Sequence, residues 1–128
     1  LLAEMLSKVT VPCSIFTNSW AQHARNVTEY LEISGFFENI FDLVFNNYKG
    51  KPNLSAFENV LKVLNLGPSE VLFIDDIPRF TEVFRSIGGS SILIDEEGQY
   101  RPSGPGIKSV RYITDIAPIL EEFGVMRE

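Results

Sequence analysis

The amino-acid sequence predicts an α/β protein with a doubly wound, mainly parallel sheet and helices on both of its faces. Short apolar segments alternate with stretches in which apolar residues recur every three or four positions, which is the pattern of βαβ crossovers. Glycine, proline and helix-capping residues separate these segments. The chain has 128 residues, 45% of them hydrophobic, which is enough for one domain with its own core, and we expect a single domain over 1–128.

Each predicted element follows from its local pattern. CSIFT is a short apolar strand, the capping residues Thr17, Asn18 and Ser19 follow it, and the run from Trp20 has helical spacing. Glycine-containing pairs end two further helices. In chain order we predict the end of a helix at 1–7, a strand at 13–17, a helix at 20–33, a strand at 42–46, a helix at 53–64, a strand at 70–75, a helix at 78–87 and a strand at 90–95.

The last third of the chain is less regular. A Gly- and Pro-rich loop at 96–106 precedes a weak strand at 109–113. Thr114 is a helix-capping residue, and the apolar residues after it follow helical spacing. We therefore predict a last amphipathic helix whose inward face consists of Ile116, Ile119, Leu120 and Phe123.

The stretch VLFIDDIP, at the end of the third main strand, places two carboxylates side by side. Asp75 and Asp76 stand at the mouth of the most hydrophobic strand, where mutual repulsion and loss of hydration are costly. In parallel sheets, ligands bind beyond the carboxyl ends of the strands. This rule brings Asp75 and Asp76 to the same edge as Thr17-Asn18, after the first strand, and Lys51, after the second.

These residue types together suit the binding of a phosphoryl group. Two carboxylates are a seat for Mg²⁺, which takes oxygen ligands, while the Lys51 ammonium, the Thr17 hydroxyl and backbone N–H groups suit phosphate oxygens. Singly, the same residues have simpler interpretations: Asp75 and Asp76 as a helix cap and a surface acid, Thr17 as a cap and Lys51 as a solvated lysine. Trp20 is predicted to pack rather than to stack on a substrate.

The order of three segments is similar to that of the haloacid dehalogenase-like (HAD) hydrolase superfamily. SIFTNS, KGKPNLSAFENVLKVLNL and EVLFIDDIPRFTEVFRSIG resemble, in turn, a strand ending in Ser or Thr, a lysine often followed by proline, and an acidic pair after an apolar strand. The resemblance runs over nearly all of the chain and implies a Rossmann-like, HAD-like core. The acidic pair favours Mg²⁺-dependent phosphatases over dehalogenases, which lack this metal requirement. FTNSWAQHARNVTEYL further resembles the pyrimidine 5′-nucleotidase-type branch.

The resemblance implies a role for each matching residue. Thr17 and Lys51 would serve catalysis by holding the phosphate, with Asn18 beside them, and Asp75 and Asp76 would hold Mg²⁺. The substrate would be a small phosphorylated metabolite, and its identity would depend on a cap outside this chain.

One feature of the family is missing. Its nucleophile is the first aspartate of a D-x-D motif on an earlier strand, and the aspartates of this chain, at positions 42, 75, 76, 95 and 115, form no such motif. Asp42 is expected to enter a strand at the wrong end of the sheet, and Asp95 to lie in a loop without a partner. Phe80 stands where many relatives carry Asn, which would alter the surroundings of the metal.

The missing motif leaves two alternatives. In the first, the chain is the C-terminal part of a longer protein that carries the first strand, the cap and the D-x-D motif upstream, and the chain alone is inactive. In the second, it is a HAD-like domain that has lost its chemistry and binds a phosphorylated ligand or a protein.

Composition argues against other partners. A net charge of −6 disfavours a nucleic-acid backbone or an anionic membrane as the main partner. No apolar run approaches the roughly 18 residues that span a bilayer. Cys13 is the lone cysteine, which excludes an intrachain disulfide and is typical of a reducing compartment, so we expect a cytoplasmic protein.

Overall fold

The fold is described by a computed structural model that covers residues 1–101 and 106–128. The chain divides into two compact units, the first comprising Leu1–Gly50 and Ala117–Glu128 and the second Lys51–Ile116. The five strands form two sheets within the described residues, and every strand pair in them is parallel. The predicted α/β class with parallel strands and intervening helices is confirmed.

The first unit is built on a two-stranded sheet. Its elements are α1 (Leu2–Ser7), β1 (Cys13–Phe16), α2 (Ala21–Tyr30), β2 (Phe37–Phe41) and α5 (Ala117–Glu122). Phe16 lies opposite Phe41 in the register of the sheet, so the two strands end at the same level. Helices and strands both contribute to the buried apolar side chains of this unit, which include Met5, Ala24, Ile33, Phe41 and Leu120.

The two ends of the chain meet in the first unit. Val9 and Met126 form an isolated antiparallel bridge, and the Arg127 guanidinium donates to the Ser7 carbonyl oxygen at 3.0 Å. Residues 117–128 are therefore attached to the beginning of the chain, although the whole second unit lies between them in the sequence.

The second unit is built on a three-stranded sheet in the order β3-β4-β5. Its elements are α3 (Leu54–Leu64), β3 (Leu72–Asp75), α4 (Pro78–Ser86), β4 (Ser90–Ile94) and β5 (Ile107–Val110). The core is aromatic: the Phe57 ring lies 5.3 Å from that of Phe73 and 5.9 Å from that of Phe84, between ring centroids. Ile92 and Leu93 on the central strand β4 are almost fully buried.

Residues 42–46 do not form the predicted strand. The strand is β2, which ends before them, and residues 43–48 form turns. The physical reason is Asp42, whose Oδ1 accepts the Phe45 N–H at 2.8 Å and folds the chain back. Asn47 and Tyr48 then adopt left-handed φ values of 52° and 64°. The apolar residues of this stretch do not indicate a buried strand, since Val44 is 44% exposed.

The C-terminal third differs from expectation in its boundaries. The last strand, predicted at 109–113, is β5 at Ile107–Val110, and a 3₁₀ turn at Ile113–Ile116 precedes α5. Ile116 and Leu120 are buried as predicted, whereas Phe123, predicted to face inward, is 49% exposed because α5 ends before it. The predicted loop at 96–106 falls partly on residues 102–105, which lie outside the described residues.

The other predicted helices and strands are confirmed to within a few residues at their ends. In the part of the chain that the structure describes, no helix is long and apolar enough to cross a membrane.

Candidate active site

The first group of predicted site residues follows β1. The Thr17 N–H donates to the Phe41 carbonyl at 2.9 Å and continues the pairing of β1 with β2 by one residue. The Thr17 side-chain oxygen lies 2.8 Å from Ser19 Oγ and accepts the Ser19 N–H at 3.0 Å. Two hydroxyl groups therefore lie together at the carboxyl end of β1, and hydroxyls are donors that suit anionic oxygens. The hydroxyl of Ser19 is a candidate ligand that the sequence indicated only as a helix cap.

The start of α2 is capped by Asp42, not by the polar residues that directly precede the helix. Trp20 is the N-cap residue of α2 and makes no side-chain capping bond, and the Ala21 N–H donates instead to Asp42 Oδ2 at 2.9 Å. The pKa of Asp42 is lowered mainly by the hydrogen bond from the Phe45 N–H and to a lesser extent by that from the Ala21 N–H. The expectation that Asp42 enters a strand is wrong, because it directly follows β2 at the carboxyl end of the sheet. Both of its oxygens are engaged in structural bonds.

Asn18 and Trp20 contact the end of the loop that follows Asp42. A Cβ atom on Gly50 would lie 2.2 Å from Asn18 Oδ1, so a side chain there would displace the Asn18 amide. Trp20 was expected to pack, but it is 57% exposed and makes an edge-to-face contact with Tyr48, whose ring centroid lies 6.0 Å away.

The second group of predicted site residues centres on a buried ion pair. Lys51 Nζ lies 2.6 Å from Asp75 Oδ2, and the two side chains are only 5% and 10% exposed. The same ammonium lies 5.5 Å from the ring centroid of Phe73 and 5.2 Å from that of Phe80, within the range of cation–π attraction. Lys51 is thus not a solvated lysine. The Lys51–Pro52 peptide bond is cis.

Asp75 also closes the turn from β3 into α4. Its Oδ1 accepts the N–H groups of Asp76 at 2.7 Å and Ile77 at 3.1 Å, just before Pro78 begins the helix. Asp76, in contrast, is exposed. Partial loss of hydration, a hydrogen bond with Asp75 and the charge of Asp75 raise the pKa of Asp76. A cation at this position would remove that penalty.

These carboxylates fit a metal ion that takes few ligands from the protein. Mg²⁺ usually keeps several waters and takes one or two carboxylates together with phosphate oxygens of the substrate. Asp75 and Asp76 supply such a pair, and the exposed Asp76 presents its oxygens to solvent. Within residues 1–101 and 106–128, no group of three or more His, Cys, Asp and Glu side chains could hold a metal on its own. The donor set fits Mg²⁺ shared with water and phosphate, not an all-protein cage.

The remaining aspartates close local turns. Asp95, expected to have no partner, accepts the N–H groups of Gly98 at 3.1 Å and Tyr100 at 2.8 Å. The Tyr100 N–H is the main cause that lowers the pKa of Asp95. Asp115 accepts the Tyr112 N–H at 3.0 Å. The structure thus brings Lys51, Asp75 and Asp76 together after β3, and it places Thr17 and Asn18 after β1 in the first unit.

Comparison with known sequences places this arrangement in a family context. Residues 2–88 match the family model of the hydrolases described as haloacid dehalogenase-like. No curated protein sequence matches the chain.

Solved structures with a similar fold include enzymes of more than one chemistry. A dehalogenase crystallised with an intermediate complex aligns at a TM-score of 0.81 and 15% identity, over 92% of this chain and 54% of its own. A HAD family hydrolase from Deinococcus radiodurans R1, with bound phosphate and sodium, aligns at a TM-score of 0.75 and 19% identity, over 97% of this chain and 59% of its own. YfnB from Bacillus subtilis, a proposed HAD hydrolase bound to magnesium, aligns at a TM-score of 0.73 and 17% identity, over 85% of this chain and 49% of its own. The chain thus spans about half the length of these proteins, and identities this low establish the fold alone.

Proposed function

The chain belongs to the haloacid dehalogenase-like hydrolase family, and on this premise we propose that it forms the core of a Mg²⁺-dependent phosphomonoester hydrolase. The substrate would be a small phosphorylated metabolite. Two structures of similar fold contain the ligands that such an enzyme needs, phosphate with sodium in the Deinococcus radiodurans hydrolase and magnesium in YfnB.

The observation that carries the proposal is the buried Lys51–Asp75 pair with Asp76 next to it. Taking two charges out of water costs several kcal/mol per ion, and such a pair seldom adds net stability compared with apolar residues of the same volume. A charged pair retained at the carboxyl end of β3 therefore indicates a ligand site. The acidic pair also favours a metal-dependent phosphatase over a dehalogenase.

Each residue of the two groups has a chemical role in the proposal. Thr17 and Asn18 would donate to phosphate oxygens at the end of β1, and the Lys51 ammonium would supply a charge-assisted hydrogen bond. Asp75 and Asp76 would hold Mg²⁺, which supplies charge stabilisation for the transferring phosphoryl group when it is bound. The hydrogen bonds from Lys51 and from two backbone N–H groups keep the Asp75 carboxylate oriented.

The nucleophile would come from residues outside this chain. Covalent phosphoryl transfer needs a carboxylate aimed at phosphorus, in line with the leaving oxygen. Asp42, Asp95 and Asp115 hold local turns, Asp75 holds Lys51, and Asp76 is assigned to the metal. The 128-residue chain by itself would accordingly be inactive.

The same engagement of the aspartates supports a second candidate function. A HAD-like domain without a nucleophile would bind a phosphorylated ligand or a protein partner and leave it unchanged. A D-x-D motif in the reading frame upstream of Leu1 would decide in favour of the hydrolase.

Binding of Mg²⁺ by the chain tests the metal assignment. We expect Asp76→Asn to weaken Mg²⁺ binding about tenfold or more in a calorimetric titration in the presence of inorganic phosphate, because one charged ligand is lost. Asp76 is exposed and leaves the Lys51–Asp75 pair intact, so the variant should remain folded. Asp115→Asn, which changes an aspartate that holds a turn, is the matched control. Equal Mg²⁺ affinity of the Asp76 variant and the native chain would refute the assignment.

Turnover tests the missing nucleophile. The isolated chain with Mg²⁺ should hydrolyse an aryl phosphate no faster than buffer. A longer protein that carries an upstream D-x-D motif should be active, and Asp75→Asn should lower its turnover about a hundredfold or more. Robust hydrolysis by the isolated chain would show that one of its own aspartates is the nucleophile. An inert longer protein without a D-x-D motif would favour the binding domain.

A further inference from the structure

Two large aromatic side chains stand exposed at the carboxyl end of the β1–β2 sheet. Trp20 is 57% exposed and Tyr48 is 62% exposed, although both are large enough to anchor a core. Their ring planes meet at 69°. In an edge-to-face pair, at least one ring keeps both of its faces uncovered by the other. The pair, called the aromatic platform below, therefore offers a ring face to a ligand.

The aromatic platform is fixed by the backbone. The Ser19 carbonyl, immediately before Trp20, accepts the Leu43 N–H at 3.1 Å, and the Leu43 carbonyl accepts the Tyr48 N–H at 2.8 Å. Asp42 adds a third connection through the Ala21 N–H. The loop that carries Tyr48 is thus held against the segment that carries Trp20. The two rings are positioned before any ligand arrives, which lowers the entropy that binding would cost.

The backbone at Tyr48 is unusual for an exposed aromatic residue. Asn47 and Tyr48 are consecutive residues with left-handed φ values of 52° and 64°. Asparagine tolerates this conformation, whereas a bulky aromatic residue rarely adopts it. Residues held in such conformations cluster at ligand sites, where the surrounding structure maintains them. Packing does not account for Tyr48, since most of its side chain faces solvent.

The aromatic platform is close in sequence to the residues assigned to phosphate. Thr17 and Asn18 precede Trp20 by three and two residues, and Asn18 also lies against Gly50, two residues after Tyr48. Resting on the function proposed above, we propose that the substrate is a phosphate monoester whose leaving group carries a planar aromatic ring, and that this ring stacks on an open ring face of the aromatic platform, with the edge of the second ring beside it. An alkyl leaving group would gain no stacking there.

The single tryptophan of the chain makes the test direct. Trp20 is the only Trp, so the intrinsic tryptophan emission reports on the platform alone. The chain is titrated with phenylphosphonate and with methylphosphonate, in the presence of Mg²⁺, and binding is followed by emission and by calorimetry. Phenylphosphonate should bind about fivefold or more tightly than methylphosphonate, in line with the stacking of a planar ring on aromatic side chains. It should also change the Trp20 emission.

Variants separate stacking from other effects. Trp20→Ala and Tyr48→Ala should each reduce the preference for phenylphosphonate, and Trp20→Phe, which keeps a ring, should retain most of it. Tyr30→Ala is the matched control, because Tyr30 is 86% exposed at the other end of α2. A preference that survives in both alanine variants would overturn the inference.

The outcomes also separate this inference from the proposed function. If both phosphonates bind with equal affinity, the inference is wrong and the phosphate site stands. If neither binds, the phosphate assignment of Thr17 and Asn18 is wrong, and the inference is wrong with it.

Discussion

The carboxyl ends of β2 and β3 each carry an aspartate whose oxygens accept N–H groups of the turn that follows. Asp42 accepts the Phe45 N–H at 2.8 Å and the Ala21 N–H at 2.9 Å, and both donors are neutral backbone groups. Asp75 accepts two N–H groups through one oxygen and the Lys51 ammonium at 2.6 Å through the other. The two strand ends thus share one backbone role and differ in the charge that accompanies the aspartate.

This difference separates a structural cap from a candidate ligand site. At Asp42, neutral N–H groups, that of Phe45 above all, stabilise the carboxylate, and the charge of Arg25 adds a smaller contribution. Asp75 is 10% exposed and depends on Lys51, which is 5% exposed and equally dependent on Asp75. An acid that follows a parallel strand therefore indicates function only where a buried cation or a second acid accompanies it. Variants of Lys51, Asp75 and Asp42 test this contrast.

The largest effect should follow from Lys51→Ala. The variant leaves the Asp75 carboxylate buried without its cation, and breaking a buried pair in this way costs about 3–5 kcal/mol of the free energy of unfolding. Urea denaturation measures the loss. Lys49→Ala, two residues earlier and exposed, should change the free energy of unfolding by no more than about 0.5 kcal/mol. A similar small loss for Lys51→Ala would mean that Asp75 resembles Asp42 after all.

The double variant Lys51→Met with Asp75→Asn sharpens the same contrast. It removes both charges and keeps the Asn oxygen as an acceptor for the turn, so much of the stability lost in the single variants should return. Strictly additive losses would indicate that each charge has a separate partner.

A smaller effect should follow from Asp42→Ala. The variant removes two side-chain oxygens that accept backbone N–H groups, one in the turn and one at the start of α2, and should lower the free energy of unfolding by about 1–2 kcal/mol. Asp42→Asn should lose less, because one amide oxygen remains. The Mg²⁺ affinity measured by calorimetry should be unchanged in both, and a reduced affinity would move Asp42 into the metal site.

The smallest expected effect is on the free energy of unfolding at acidic pH. Backbone N–H groups, that of Phe45 above all, lower the pKa of Asp42 in the folded protein. Between the folded and unfolded pKa values, the unfolded state binds more protons than the native state. The stabilisation that the Asp42 carboxylate contributes is therefore complete above its unfolded pKa of about 3.9, and it is lost as the pH falls through the folded pKa. Denaturation curves over this range should show a shallower pH dependence for Asp42→Asn. An unchanged dependence would show that Asp42 does not contribute to it.

Local patterns were sufficient for most of the fold and for the order of the site residues. Apolar runs that end in Thr17 and in Asp75-Asp76 indicated strands whose carboxyl ends carry polar groups, and both strands are present. The helices were indicated by apolar spacing, as in α3 with its buried Phe57 and Leu61. The roles of these residues toward phosphate and Mg²⁺ remain predictions.

Contacts between distant residues could not be predicted from local patterns. Lys51 and Asp75 are 24 positions apart, and nothing around Lys51 in the sequence indicates that its ammonium is buried. Asp42 and Ala21 are 21 positions apart, so the cap of α2 was assigned to nearby polar residues instead. The contact between Trp20 and Tyr48 likewise depends on a turn of unusual backbone conformation that brings the two rings together.

The bridge between Val9 and Met126 has a consequence for how the protein is made. A ribosome releases the chain from its amino end, so α1, β1, α2 and β2 emerge long before α5, which completes their unit. Residues 51–116 are contiguous and can fold as soon as they emerge. We therefore expect the nascent second unit to acquire protease resistance first, while the first unit stays cleavable until residues 117–128 leave the exit tunnel. A stop codon after Ile116 would leave that first unit permanently open to proteolysis.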